Sequence, residues 1–175
     1  MEIQQFYYFM PRFSSASTVL ATNDELTYGP NAMEYALGKR NPRNTLVLKQ
    51  VSGKRWDDML TRVKSLYIVS TKFITILKEN NLTGWKAFPV KIITKTGEEV
   101  DNYWGLSIIG RCANKLEPTP QNWDGKDFFI MKDTTSTYIT EKAYKCLKGK
   151  VTNIQFVKYE ENIEGIRRVR LMGEM

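Results

Sequence analysis

Two neighbouring aspartates come nearest to a reactive pair in this chain. Asp124 and Asp127 lie three positions apart, just after Trp123. Paired carboxylates can exchange protons with a substrate or hold a hard cation. Asp-Gly is equally an ordinary turn sequence, and Asp127 could cap a helix or pair with Arg111. We favour the structural interpretation and keep a carboxylate-based enzyme as an alternative.

Two lysines have an unusual position for a cation. Lys72 and Lys142 both fall in the first turn of a predicted helix, where the positive helix end disfavours a positive charge. A nearby carboxylate or phosphate would explain this placement, and so would simple exposure to water. We favour exposure without a specific role.

Histidine is absent from all 175 residues. This excludes Ser-His and Cys-His nucleophile pairs and histidine-based zinc sites. Cys112 and Cys146 are too few for a tetrathiolate zinc site or a disulfide framework, and can simply be buried thiols. The glycines of residues 105–110 lack the spacing of a phosphate-binding or dinucleotide-binding loop. We therefore predict no enzyme activity, no cofactor and no metal.

The overall composition predicts one folded domain. The chain is 42% hydrophobic and 12% aromatic, which is enough to bury a core. No apolar run approaches the roughly 18–20 residues that a membrane span requires. The first residues also lack the basic start and apolar stretch of a signal peptide. We expect a cytoplasmic protein with no membrane partner.

The formal net charge is +7, with a pI near 9.3. Such a charge can steer a protein toward nucleic acid or toward an acidic partner. Tyr103, Trp104 and Trp123 could stack on bases, which leaves a basic nucleic-acid-binding module as a second alternative. Aromatic residues at this density are more often core, and no RNP or helix-turn-helix pattern is present. Nucleic acid is therefore a disfavoured partner.

The elements that must position these residues follow a pattern that occurs twice. Each copy has a short apolar strand, a hydroxyl N-cap, a lysine two residues later and a helix with one apolar face. The equivalent pairs are Ser70 and Thr140, Lys72 and Lys142, and Thr83 and Thr152. Chance similarity of two amphipathic segments is the alternative to a true duplication. The pattern predicts one β-α-β-β unit over residues 66–109 and a second over residues 137–171.

These units predict the fold class and the placement of function. We expect a single α+β domain over residues 1–175, with a mainly antiparallel sheet and an N-terminal strand-loop-strand extension over residues 1–53. Residues 12–43 are rich in turn signals and are predicted to be irregular. Because a doubled unit indicates a scaffold, function is expected in the stretches that are not doubled, namely residues 12–43, 54–62 and 110–126.

Four segments resemble a known family. They are residues 68–73 (IVSTKF), 82–90 (LTGWKAFPV), 103–112 (YWGLSIIGRC) and 123–129 (WDGKDFF). Together they look like the central pattern of bacterial polymorphic-toxin immunity protein family eleven, formerly a domain of unknown function. The resemblance covers roughly residues 46–159. It implies a small cytoplasmic protein that binds and neutralises a cognate toxin protein, and it brings no catalytic residues.

Binding of a toxin would depend on a few anchoring side chains. Aromatic and arginine side chains dominate such interfaces, inside a polar rim. The candidate partner-binding residues are Trp56, Arg62, Trp104, Arg111, Trp123 and Asp124. Because the chain is basic, we expect the toxin surface that it meets to be acidic or mixed.

Overall fold

Two β-sheets and two helices enclose a shared apolar core in the computed structural model of this chain. The structure describes residues 5–12, 14–21, 31–60, 66–113 and 122–160. In chain order, the described strands are β1 (Phe6–Pro11), β2 (Val19–Ala21), β3 (Leu46–Ser52), β4 (Tyr67–Ser70), β5 (Trp85–Ile93), β6 (Glu99–Val100), β7 (Tyr103–Ile108), β8 (Gly110–Cys112), β9 (Phe128–Met131), β10 (Thr137–Thr140) and β11 (Ile154–Lys158). The described helices are α1 (Asn31–Ala36), α2 (Thr71–Glu79) and α3 (Glu141–Leu147).

The strands form two sheets that are mostly antiparallel. One sheet has the order β11-β1-β10-β9-β8, and the other has the order β2-β3-β5-β7-β4 with β6 paired to β5. Within the described ranges only the β3–β5 and β8–β9 pairs are parallel. The predicted α+β class, single domain and mainly antiparallel pairing are therefore confirmed.

Both predicted helix starts are present. The Ser70 hydroxyl accepts a hydrogen bond from the Phe73 amide at 3.1 Å, and the Thr140 hydroxyl accepts one from the Ala143 amide at 3.3 Å. Each cap satisfies a main-chain donor that the first helical turn leaves without a partner. The buried faces of α2 and α3 then pack into the central core between the sheets. None of the described helices combines the length and apolar character needed to cross a membrane.

The first β-α-β-β unit is β4-α2-β5-β7, and β7 lies between β4 and β5. In the second unit, β10 and β11 have β1 between them. The hydrogen bonds agree with this equivalence, because Thr71 N donates to Asn102 O just before β7, and Glu141 N donates to Gln5 O just before β1. The predicted returning strand, residues 166–171, lies outside the described residues.

The predicted N-terminal extension contributes to both sheets. Its β1 is the strand between β10 and β11, while β2 and β3 belong to the other sheet. The prediction that residues 12–43 are irregular was wrong in part, because they contain β2 and α1. Helix α1 has only six residues and buries Ala32, Tyr35 and Ala36. So short a helix depends on tertiary packing rather than on its own periodicity.

Candidate functional site

The predicted tryptophan anchors pack against three different apolar clusters. Trp56 packs against the apolar cluster that includes β3 and α1, and Trp104 packs against the central core between the sheets. Trp123 belongs to a third cluster, where its ring lies 5.1 Å from Phe6 in an edge-to-face arrangement. Arg62 lies outside the described residues. The three rings therefore support three different parts of the core.

Arg111 and Asp124 are brought together, but they hold the chain's own loops. The Arg111 guanidinium donates to the carbonyls of Ile108 and Gly110 at 2.8 Å and to that of Leu37 at 2.5 Å. Asp124 accepts from the Arg111 main-chain amide at 2.8 Å. Burial lowers the pKa of Arg111, and the Asp124 charge opposes that shift. Both side chains already have partners that fasten a loop.

Asp127 is a structural carboxylate rather than half of a reactive pair with Asp124. It is 7% exposed and accepts from the Thr83 amide at 2.8 Å, the Thr83 hydroxyl at 3.0 Å and the Thr140 hydroxyl at 2.9 Å. Lys142 lies 3.8 Å from the same carboxylate. Asp127 thus supports a helix cap, and it is Asp124 that contacts Arg111. The described residues contain no group of three or more side chains suited to a metal ion.

Asp58 makes an equivalent set of bonds in the other half of the domain. It accepts from the Ser70 hydroxyl at 2.7 Å and from the Thr152 amide at 3.0 Å, and Lys72 lies 3.3 Å away. Each carboxylate therefore joins the cap of one unit to the helix-to-strand turn of the other. We name the two sets of contacts the Asp58 brace and the Asp127 brace.

The braces explain the unusual lysines. Lys72 and Lys142 are 57% and 55% exposed, yet each has a carboxylate beside it. Solvent exposure without a role was the favoured prediction, and the ion pairs correct it. The sequence could not show the pairs, because the aspartates precede the predicted units.

A cleft with a volume of about 820 Å³ lies beside the second unit. Its cations are Arg12, Arg55 and Lys148, and Asp57 is its carboxylate. The apolar lining comes from Tyr144, Val151, Ile154 and Phe156. A lining that combines positive and apolar side chains suits a ligand with both negative and apolar groups. We name it the Arg12–Lys148 cleft.

Contacts within the fold position the two lining residues Arg12 and Lys148. Arg12 follows β1, and its amide donates to Asn153 O at 3.0 Å. Tyr144 and Lys148 lie one turn apart at the end of α3, with the ammonium 5.1 Å from the ring centre. A hydrogen bond with Tyr144 raises the pKa of Lys148. The Tyr144 ring is itself stacked on Tyr7 at 3.9 Å.

The cations of the cleft are not equally available. Arg55 bonds Asp57 at 2.9 Å and Ser17 at 3.0 Å, so its charge is already partly used. Within the described residues no carboxylate pairs with Arg12 or Lys148. These two cations are therefore the ones that can meet a negative ligand.

Asn153 adds a buried acceptor to the cleft. Its side-chain nitrogen donates to Met59 O at 2.8 Å, while none of the described residues donates a hydrogen bond to Oδ1. The residue is only 9% exposed. A buried oxygen without a donor is unfavourable, so an N–H or O–H group from a ligand would be well bound there.

Arg12, Lys148 and Asn153 were not among the predicted site residues. The candidates were three tryptophans, two arginines and Asp124; residues 12–43 were expected to carry function without Arg12 being named, and Lys148 falls in the duplicated helix. The repeat itself contained a usable signal, because Asn153 stands where the first copy has Gly84. A polar residue in place of a glycine marks a position where the two halves differ.

Comparison with known proteins leaves the resemblance as a prediction. Neither a family model nor a curated protein matches this chain.

Proposed function

We propose that this protein neutralises a cognate bacterial toxin by stoichiometric binding, with the Arg12–Lys148 cleft as its recognition surface. The observation that carries the proposal is the cleft itself, which is lined by apolar side chains and by two cations, Arg12 and Lys148, that no carboxylate of the described residues pairs with. This chemistry suits reversible binding of a macromolecular partner. The resemblance to the immunity family supplies the class of partner.

The carboxylate-enzyme alternative loses its reactive pair. Asp127 is occupied by hydroxyl and amide donors, and Asp124 accepts from the amides of Arg111 and Lys126. Both carboxylates stabilise the chain that carries them. This leaves binding as the better supported use of the surface.

The nucleic-acid alternative depended on three aromatic rings, of which one is buried and two are half-buried. Tyr103 is buried and donates to Asp57 O at 2.8 Å. Trp104 donates to the Thr71 hydroxyl, and Trp123 donates to Lys126 O, each at 3.1 Å. Burial of Tyr103 removes one of the rings proposed for base stacking, and the other two are fixed by their own hydrogen bonds. The positive cleft keeps nucleic acid as an outcome to test.

Co-expression with the product of the adjacent gene tests the proposal. We expect this chain to restore growth and to co-purify with the toxin at a 1:1 ratio. Arg12→Glu/Lys148→Glu should reduce both effects, while Lys49→Glu/Lys95→Glu, an equal charge change on exposed lysines outside the cleft lining, should not. Loss of both rescue and co-purification for the unaltered protein would contradict the proposal.

A further inference from the structure

We infer that the Arg12–Lys148 cleft binds an acidic stretch of polypeptide, with its carboxylates at Arg12 and Lys148 and a main-chain amide at Asn153 Oδ1. The inference rests on the proposed function and names the chemistry of the partner segment. Three observations carry it. In the first unit the chain itself covers the position that corresponds to the cleft, the cleft has two available cations, and Asn153 offers a buried acceptor.

In the first unit, a segment of the chain itself covers the position that corresponds to the Arg12–Lys148 cleft. Ile109 N donates to Gly84 O at 2.8 Å, as Arg12 N donates to Asn153 O, so Ile109 and Arg12 are equivalent. The chain passes so close to Ile109 at Gly38 that a Cβ on that glycine would overlap the Ile109 side chain. A segment of polypeptide thus covers Ile109.

This covering segment is held by two kinds of contact. Leu37 packs against the central core, and the Arg111 guanidinium holds its carbonyl at 2.5 Å. The first unit therefore seats an apolar side chain and fixes the main chain beside it. The occupant of the equivalent cleft is expected to do the same.

The second unit differs at both equivalent positions, and its cleft is open among the described residues. Arg12 replaces Ile109, and Asn153 replaces Gly84. Because Arg12 places a cation where the first unit has the apolar Ile109, we expect the occupant to present a carboxylate there rather than an apolar side chain such as that of Leu37. Together with Lys148, Arg12 gives two charges that an acidic segment can neutralise.

The buried acceptor favours polypeptide over nucleic acid. Asn153 lines the cleft, and none of the described residues donates to its Oδ1. Every peptide unit other than that of proline carries an N–H donor in its main chain, whereas the phosphodiester backbone of DNA offers acceptors only and its donors lie on the bases. Val151, Ile154 and Phe156 can meanwhile hold the apolar side chains that alternate with the acidic ones.

The inference is tested with a fluorescent octapeptide of alternating glutamate and leucine. We expect saturable binding that weakens about tenfold when glutamine replaces glutamate, because the charge attraction is lost. Arg12→Glu/Lys148→Glu should weaken binding at least as much, while Lys49→Glu/Lys95→Glu should leave it unchanged. Asn153→Gly, which keeps a residue that tolerates positive φ, should weaken binding about threefold through the lost acceptor.

Several results would overturn this inference. Equal binding of the glutamine peptide would do so, as would charge reversal in the cleft without effect. An oligothymidylate of eight nucleotides that displaces the peptide from the cleft would assign the site to nucleic acid. Because Arg12 and Lys148 are exposed, we expect their replacement to leave the fold intact. Unfolding curves of each variant check this and separate lost binding from lost folding.

Toxin rescue distinguishes this inference from the proposed function. If the unaltered protein rescues growth and Arg12→Glu/Lys148→Glu rescues equally well, the cleft inference fails and so does recognition through the cleft, while toxin neutralisation by another surface stands. If the peptide binds in the cleft but the unaltered protein gives no rescue, the function fails and the cleft chemistry stands.

Discussion

Replacing Asp127 with alanine removes the centre of one brace between the two halves of the domain. The carboxylate accepts three hydrogen bonds of 2.8–3.0 Å from Thr83 and Thr140. Its loss leaves the Thr83 amide and the two hydroxyls without their acceptor, and of these the Thr140 hydroxyl is buried while Thr83 is exposed. We expect a destabilised but correctly folded protein.

The expected cost follows from these contacts. Hydrogen bonds to a charged group contribute about 1.5–3 kcal/mol each and are not additive. Lys142 is more than half exposed and 3.8 Å away, so it adds at most about 1 kcal/mol. Removing one partner from a buried charged network typically costs about 3–5 kcal/mol. We therefore expect Asp127→Ala to lower the free energy of unfolding by about 4 kcal/mol.

Equilibrium unfolding in urea, followed by tryptophan fluorescence, measures this loss. Asp124→Ala is the matched control, because its exposed carboxylate accepts two main-chain amides and should cost about 1 kcal/mol. Asp58→Ala should resemble Asp127→Ala, since the other brace has the same kinds of donor. A cost for Asp127→Ala below about 1 kcal/mol, or no greater than that of Asp124→Ala, would refute this reasoning.

Three further predictions concern pH, backbone geometry and charge. Burial raises the pKa of Tyr103 above its ordinary value, so the unfolded chain loses this proton first. The contribution of Tyr103 to stability is therefore fully present below about pH 10 and falls above it. Tyr103→Phe should reduce that alkaline loss in unfolding curves at pH 9–11. Gly84 has φ of 89° and a Cβ there would overlap Phe128 O, so Gly84→Ala should cost at least about 2 kcal/mol in urea unfolding, and a cost near zero would contradict the close approach. The association rate with the toxin should fall as salt rises, because screening weakens attraction to a basic cleft; a rate that rises with salt would indicate repulsion.

The sequence predicted the parts of the fold that depend on neighbours in the chain. The hydroxyl caps at Ser70 and Thr140 act over three residues, and the apolar faces of α2 and α3 repeat with the helical period. Both therefore leave a local pattern. Helix α1 has too few residues to show a period, so its existence depends on the sheet that it covers.

The central place of β1 could not be predicted, because strand pairing joins residues far apart in the chain. Phe9 pairs with Thr137 on one side and with Phe156 on the other. The braces were hidden for the same reason, since Asp58 bonds Thr152 from the other half. The cleft depends on these long-range contacts, so residue type alone selected Trp56, Trp104 and Trp123, which support the core.

The most direct test of the account is the dissociation constant of the complex with the purified product of the adjacent gene. Isothermal titration calorimetry should give a 1:1 complex with the unaltered protein. Arg12→Glu/Lys148→Glu should weaken it at least about a hundredfold, because two attractive contacts become repulsive, and Lys49→Glu/Lys95→Glu should not. An unchanged dissociation constant for the cleft variant would contradict recognition through the Arg12–Lys148 cleft, and no binding by the unaltered protein would contradict the proposed function.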